Sequence, residues 1–136
     1  MTIHGKWDSV LIRNVLVTQF AEDFNLEGAE ARFADLRRLA PAGTIWVSLN
    51  ESHSWGASDP EVLASLKQQR QWMFANGCVC IATVVPDHFH ILILQNNAGS
   101  FSADLIRYFL TMDEAIDWLG ERGFAIDLDE IPPPRW

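Results

Sequence analysis

Residues 50–59 hold the densest group of chemically capable side chains in the chain: Asn50, Glu51, Ser52, His53, Ser54, Ser58 and Asp59, with Trp55 among them. Ser52, His53 and Glu51 supply the three residue types of a hydrolytic triad. A triad, however, needs groups that converge from distant segments, which neighbours in sequence rarely do. No Gly-x-Ser-x-Gly elbow accompanies them, so the context of a strained nucleophile turn is missing. No residue is assigned a catalytic role, and an enzyme of unrecognised chemistry ranks third. His88 and His90, with Cys78 and Cys80, are metal-capable, but a His pair two apart matches no common zinc spacing. Neither a metal nor a cofactor is implied.

The same stretch gains interest from the elements that must position it. Residues 44–49 alternate, with Ile45, Val47 and Leu49 on one side and Trp46 and Ser48 on the other, which predicts a strand. Ser58, Asp59, Pro60 and Glu61 then open a helix: proline suits the first turn, and Ser58 with Glu61 has capping-box spacing. A loop between the carboxyl end of a parallel strand and a helix amino terminus is where open α/β sheets bind ligands. Asn50, Ser52, His53, Trp55, Ser58 and Asp59 are therefore candidate ligand- or partner-binding residues. Trp55 stands out, because no periodicity assigns it to a core and an exposed Trp anchors interfaces well. Phe89 joins the set as a candidate wall of an apolar crevice.

Around this loop the pattern is regular. Residues 7–12 and 15–20 predict a β-hairpin turning at Arg13-Asn14. Asn25 caps a helix whose stripe is Leu26, Ala29, Phe33, Leu36 and Ala40, with Glu27 in its first turn. In the second helix Val62, Leu66 and Met73 face inward, widened by Leu63 and Phe74, and Asn76-Gly77 ends it. Residues 78–85 are apolar on both faces apart from Thr83, as in a central buried strand. Residues 88–94 fit either a strand or a short packed helix, with the helix favoured because a crossover must precede the next strand, and residues 105–110 read as a last strand. Thr111 and Glu114 then cap a helix with Ala115, Ile116 and Leu119 inward. The predicted order is β-β-α-β-α-β-(α)-β-α: an α/β domain with a mixed, mostly parallel sheet of about five strands and helices packed on it. It spans residues 1–125, and residues 126–136 form an acidic, proline-rich tail, free to stay loose, pack at home or dock on a neighbour.

Composition narrows the function classes. The 136 residues are 49% hydrophobic and 21% charged, which suits a folded domain, and six Trp with eight Phe fill a core. A net charge of -8 disfavours nucleic acid and anionic membrane surfaces. The one tight basic pair, Arg37-Arg38, suits a helix carboxyl end. No apolar run approaches the ~20 residues of a membrane span, and no leader pattern opens the chain. Two cysteines on one strand, two apart, share a face and fit reduced thiols in a cytoplasmic protein.

Three stretches resemble the SpoIIAA-like branch of the STAS (sulfate transporter and anti-sigma-factor antagonist) fold. They are Phe-Asn-Leu-Glu-Gly at 24–28, Trp72 followed by Asn76-Gly77, and Phe-Leu-Thr-Met-Asp-Glu-Ala-Ile-Asp-Trp-Leu at 109–119. The likeness covers about residues 5–124 by element order and rests on structural motifs. It implies a single SpoIIAA-like domain that is non-enzymatic and regulates through protein–protein contact, with a homodimer possible. In related members the implied alternative is binding of a lipid-like or other apolar small ligand, as carrier or sensor. Anti-sigma-factor antagonists carry a phosphorylatable Ser where Ser58 stands, within Asp-Ser-Ser-Gly. Here the context is Gly56-Ala-Ser-Asp-Pro60, without the leading Asp or the following Gly, and Asp59 and Glu61 would repel a phosphate.

Overall fold

The computed structural model describes residues 3–21, 23–53, 59–89, 91–92 and 104–136. β1 (Lys6–Ile12) and β2 (Val15–Ala21) form the hairpin, paired antiparallel from Lys6 with Ala21 to Ile12 with Val15. At the turn Arg13 takes φ 52°, the left-handed geometry that tight hairpins require, here without a glycine. Asn14 ties the turn to the next strand: its Nδ2 donates to the Ile45 carbonyl at 2.9 Å, and its carbonyl accepts from the Val47 N–H at 2.9 Å.

Helix α1 (Leu26–Leu39) starts where Asn25 predicts. The Asn25 Oδ1 accepts from the Gly28 N–H at 2.8 Å and from the His4 N–H at 3.0 Å, so one side chain caps the helix and pins the segment before β1. Then follow β3 (Trp46–Ser52), α2 (Pro60–Ala75), β4 (Cys78–Val84), β5 (Ile106–Phe109) and α3 (Met112–Glu121). Gly77, at φ 98°, carries the chain from α2 into β4, and Trp46 Nε1 donates to the Asn76 carbonyl there at 2.9 Å. The Thr111 hydroxyl accepts from the Glu114 N–H at 3.2 Å, capping α3. His88, Phe89, Ile91 and Leu92 are helical, in line with the helix favoured there.

The sheet runs β1-β2-β3-β4-β5, with β1 antiparallel and the other neighbours parallel. Side-chain alternation divides the core into two halves. Leu16, Trp46, Ile81 and Ile106 meet Leu36 of α1 and Met73 of α2 on one face. Val17, Val47, Leu49, Ala82 and Val84 meet Ala115, Trp118 and Leu119 of α3 on the other. Helices thus cover both faces, which explains the apolar run in β4. Trp46 and Trp118 are core residues.

Three details differ from the sequence-based expectation, and the tail takes one of the arrangements open to it. β3 begins at Trp46 and continues through Ser52, so Asn50 and Ser52 are strand residues, and Ile45 lies outside the strand at 55% exposure. Polar side chains hid the strand's end, yet its pairing with β2 runs on to Phe20 with Ser52. The two cysteines lie on opposite faces: the β3–β4 register shifts at Trp46/Val47, and this irregularity sends Cys78 to the α1/α2 half and Cys80 to the α3 half. Gln69 is buried in the inward face of α2 beside Val62 and Met73, while Leu63, Leu66 and Phe74 are only half-buried. The tail packs at home. Arg13 grips Glu130 at 2.6 Å, Arg135 binds Asp8, and Ile126 is buried under α3.

Candidate functional site

The strand extension splits the candidate residues between two faces of one sheet edge. Asn50 and Ser52 point toward α1 and α2, whereas Glu51 and His53 belong to the α3 side. Asp59 caps α2 by its backbone position, without a side-chain hydrogen bond, so the helix relies on Pro60 at its start. Phe89 lies a short distance past the end of β4 and is 67% exposed. Trp55 and Ser58 lie outside the described residues, and with them the Ser58–Glu61 capping box and the phosphorylation position that the resemblance suggests.

On the α1/α2 side a polar row crosses the whole sheet. Register pairs Ser9 with Thr18, Thr18 with Asn50, Asn50 with Thr83, and Thr83 with Tyr108. The Ser9 and Thr18 hydroxyls lie 3.0 Å apart, and Asn50 Nδ2 donates to Thr83 Oγ1 at 3.3 Å. Ser48, wholly buried one step earlier on β3, donates to Asn50 Oδ1 at 3.4 Å. Thr18 is buried, but Asn50 and Thr83 are only half-buried although both stand on interior strands. The helices therefore leave the carboxyl end of β3 and β4 partly uncovered.

The helices add cations and an amide to this face. Gln69 spans the α1/α2 seam, its Nε2 donating to the Ala29 carbonyl at 3.3 Å and to Ser65 Oγ at 3.1 Å. Arg70 faces Tyr108 closely enough for their charges to couple; burial lowers the Arg70 pKa and raises that of the phenol. Arg32 of α1 stands over two rings, 5.1 Å from the centroid of Phe20 and 5.0 Å from that of Phe24. Burial pulls its guanidinium down to about 10, still cationic at neutral pH.

The α3 side of the same edge is a closed network. Gln19 Nε2 donates to Glu51 Oε1 at 3.1 Å, and that oxygen lies 3.2 Å from His53 Nε2. The His53 ring meets Trp136 edge-on at 5.9 Å. Arg135 Nε donates to Asp8 Oδ1 at 2.6 Å and its backbone N–H to Oδ2 at 2.6 Å. Burial alone would raise the Asp8 pKa, but the bonds from Arg135 outweigh it and hold the carboxyl below its usual range. Among the described residues, no Ser or Thr hydroxyl hydrogen-bonds His53, and no group of three or more His, Cys, Asp or Glu is placed to hold a metal ion. No helix among them is long and apolar enough to cross a membrane.

Sequence reasoning missed the row on β2 and β4, Arg32, Gln69 and the tail. Two signals were present. Thr18 and Thr83 interrupt otherwise apolar strands, and Arg32 falls three residues after Ala29 and four before Leu36, inside the buried stripe of α1. Neither a scan of protein-family models nor a search of curated proteins finds a match for the chain.

Proposed function

We propose that the chain is a non-enzymatic regulatory module of the SpoIIAA-like (STAS) kind, cytoplasmic, that contacts a protein partner through the carboxyl end of its sheet. The observation that carries this is the delivery of unlike groups to one edge. β3 presents Asn50 and Ser52 on one side and Glu51 on the other, His53 follows directly after the strand, and the exposed Phe89 ring stands beyond the neighbouring strand. An apolar anchor rimmed by polar groups is the usual make-up of a contact surface. The resemblance of residues 24–28, 72–77 and 109–119 to SpoIIAA-like sequences supports the same class. A carrier of a purely apolar ligand fits less well, because the face under α1 and α2 carries the polar row and two arginines.

The test is photo-crosslinking from defined positions. A benzophenone amino acid is placed at His53, at Phe89, or at Ala42 in the turn at the opposite end of the sheet. Discrete adducts with one protein from positions 53 and 89, and none from 42, support the proposal. Adducts that are the same from all three positions, or that arise only from 42, contradict it.

A further inference from the structure

We infer that the α1/α2 side of this edge is a binding site for a small organic anion, with Arg32 as its oxyanion-binding group and Asn50 and Thr83 as donors at its far end. The inference goes beyond partner contact and stands on a different set of groups.

The argument starts from an imbalance of donors. Arg32 is half-buried and, among the described residues, makes neither an ion pair nor a hydrogen bond; its contacts are the Phe20 and Phe24 rings. Arg37 and Arg122 also stand over rings, but both are exposed, whereas Arg32 is half-buried. A partly desolvated guanidinium keeps five N–H groups in a planar fork that matches carboxylate or phosphate oxygens. Asn50 commits one amide N–H to Thr83 and its carbonyl to Ser48, which leaves its second N–H. Thr83 accepts that bond, so its own hydroxyl proton is also uncommitted among the described residues. Each lies on the same sheet face as Phe20, and each is half-exposed.

Geometry then sets the size of the ligand. Phe20 pairs with Ser52, one same-face step beyond Asn50, and Thr83 is one strand further across. With strands about 4.8 Å apart and same-face residues about 6.7 Å apart, the two poles are separated by roughly 10 Å. A molecule with an oxyanion at one end and a hydrogen-bond acceptor at the other has the length to reach both poles. The negative surface elsewhere does not recruit such a ligand, so recognition depends on Arg32 and not on a general positive field.

The test is the side-chain Nε–Hε resonance of Arg32 in the intact protein, titrated with sodium adipate and, separately, with glycerol 3-phosphate at constant ionic strength. Saturable movement with adipate alone assigns the site to carboxylates, with glycerol 3-phosphate alone to phosphate monoesters, and with both to either; each supports the inference. By titration calorimetry, needed because the substitution removes the reporting resonance, Arg32→Gln should weaken Kd at least about tenfold, as expected for loss of a charge-assisted hydrogen bond, and Arg32→Lys less. Asn50→Ala, which leaves Arg32 and its rings untouched, should weaken adipate binding while the fold, followed by circular dichroism, is retained. Movement no greater than sodium chloride produces, or saturation at an affinity that Arg32→Lys and Asn50→Ala both leave unchanged, overturns it.

Discussion

Gly28→Ala should destabilise the protein, although alanine is the better helix former. Gly28 lies in the first turn of α1, and propensity alone favours the substitution by up to about 1 kcal/mol. A Cβ at this position, however, would run into the backbone carbonyl of His4, well inside contact distance, and would also press on Asn25 Oδ1 at 3.1 Å. His4 cannot retreat freely, because its N–H is held by that same Oδ1 at 3.0 Å. Relieving the clash means breaking the His4–Asn25 bond and loosening the cap, which together contribute about 1–3 kcal/mol. The balance is a net loss of about 1–2 kcal/mol, or a fall in Tm of roughly 3–6 °C for a domain of this size. Urea denaturation with an unchanged slope measures it. Gly120→Ala is the control: that glycine lies near the carboxyl end of α3 with open space around it, so the same change should be neutral or stabilising. If Gly28→Ala were to gain stability as Gly120→Ala does, the cap and the pinning of residue 4 would be misjudged. The placement of α1, and of Arg32 over Phe20, would then rest on other contacts.

Leu49→Ala, at the fully buried centre of β3, should cost about 2–5 kcal/mol in the same denaturation assay. A cost below about 1 kcal/mol would argue against close packing of α3 on the sheet. Glu130 is held at about 2, first by the hydrogen bond from Arg13. Because the folded value lies below the ordinary carboxylate value, the contact favours the folded state above about pH 4.3 and is lost as pH falls through about 2. Carboxyl NMR titration should show this, and Arg13→Gln should return Glu130 toward its ordinary range; an unchanged titration would mean the tail is not held there. The Cys78 thiol is pushed up to about 12 by burial. With Cys80 buried too, neither should react with a maleimide in the native state, and both should in urea. Prompt labelling without denaturant would show that the core opens.

Where local chemistry decides, the sequence was readable. Asn25 before an apolar stripe, Asn76-Gly77 after one, and Thr111 three residues ahead of Glu114 each produce the helix end they signal. The end of β3 was misjudged because Asn50, Glu51 and Ser52 look like loop residues. Asn50 bonds across strands to Thr83 and Glu51 to Gln19, and such partners are not visible from neighbours in sequence. The tail shows the same limit more strongly, since Arg13–Glu130 and Asp8–Arg135 join opposite ends of the chain. The cysteine faces were misassigned because one register irregularity between β3 and β4 reverses the expected alternation. The candidate residues Asn50 and Ser52 lie at the end of β3, and only the strand register brings Thr18, Asn50 and Thr83 into one row.

The claim that the carboxyl end of the sheet is the working surface is tested most directly by cysteine footprinting in cells. Single cysteines at His53, Phe89 and Ala42 report against a silent background, because the two native thiols are buried. Maleimide labelling rates are compared between the purified protein and intact cells at native abundance. Protection by about tenfold or more in cells at positions 53 and 89, with position 42 unchanged, is the predicted result, as expected where a partner buries a contact surface. Equal labelling at all three positions in both settings, or protection confined to position 42, would contradict it.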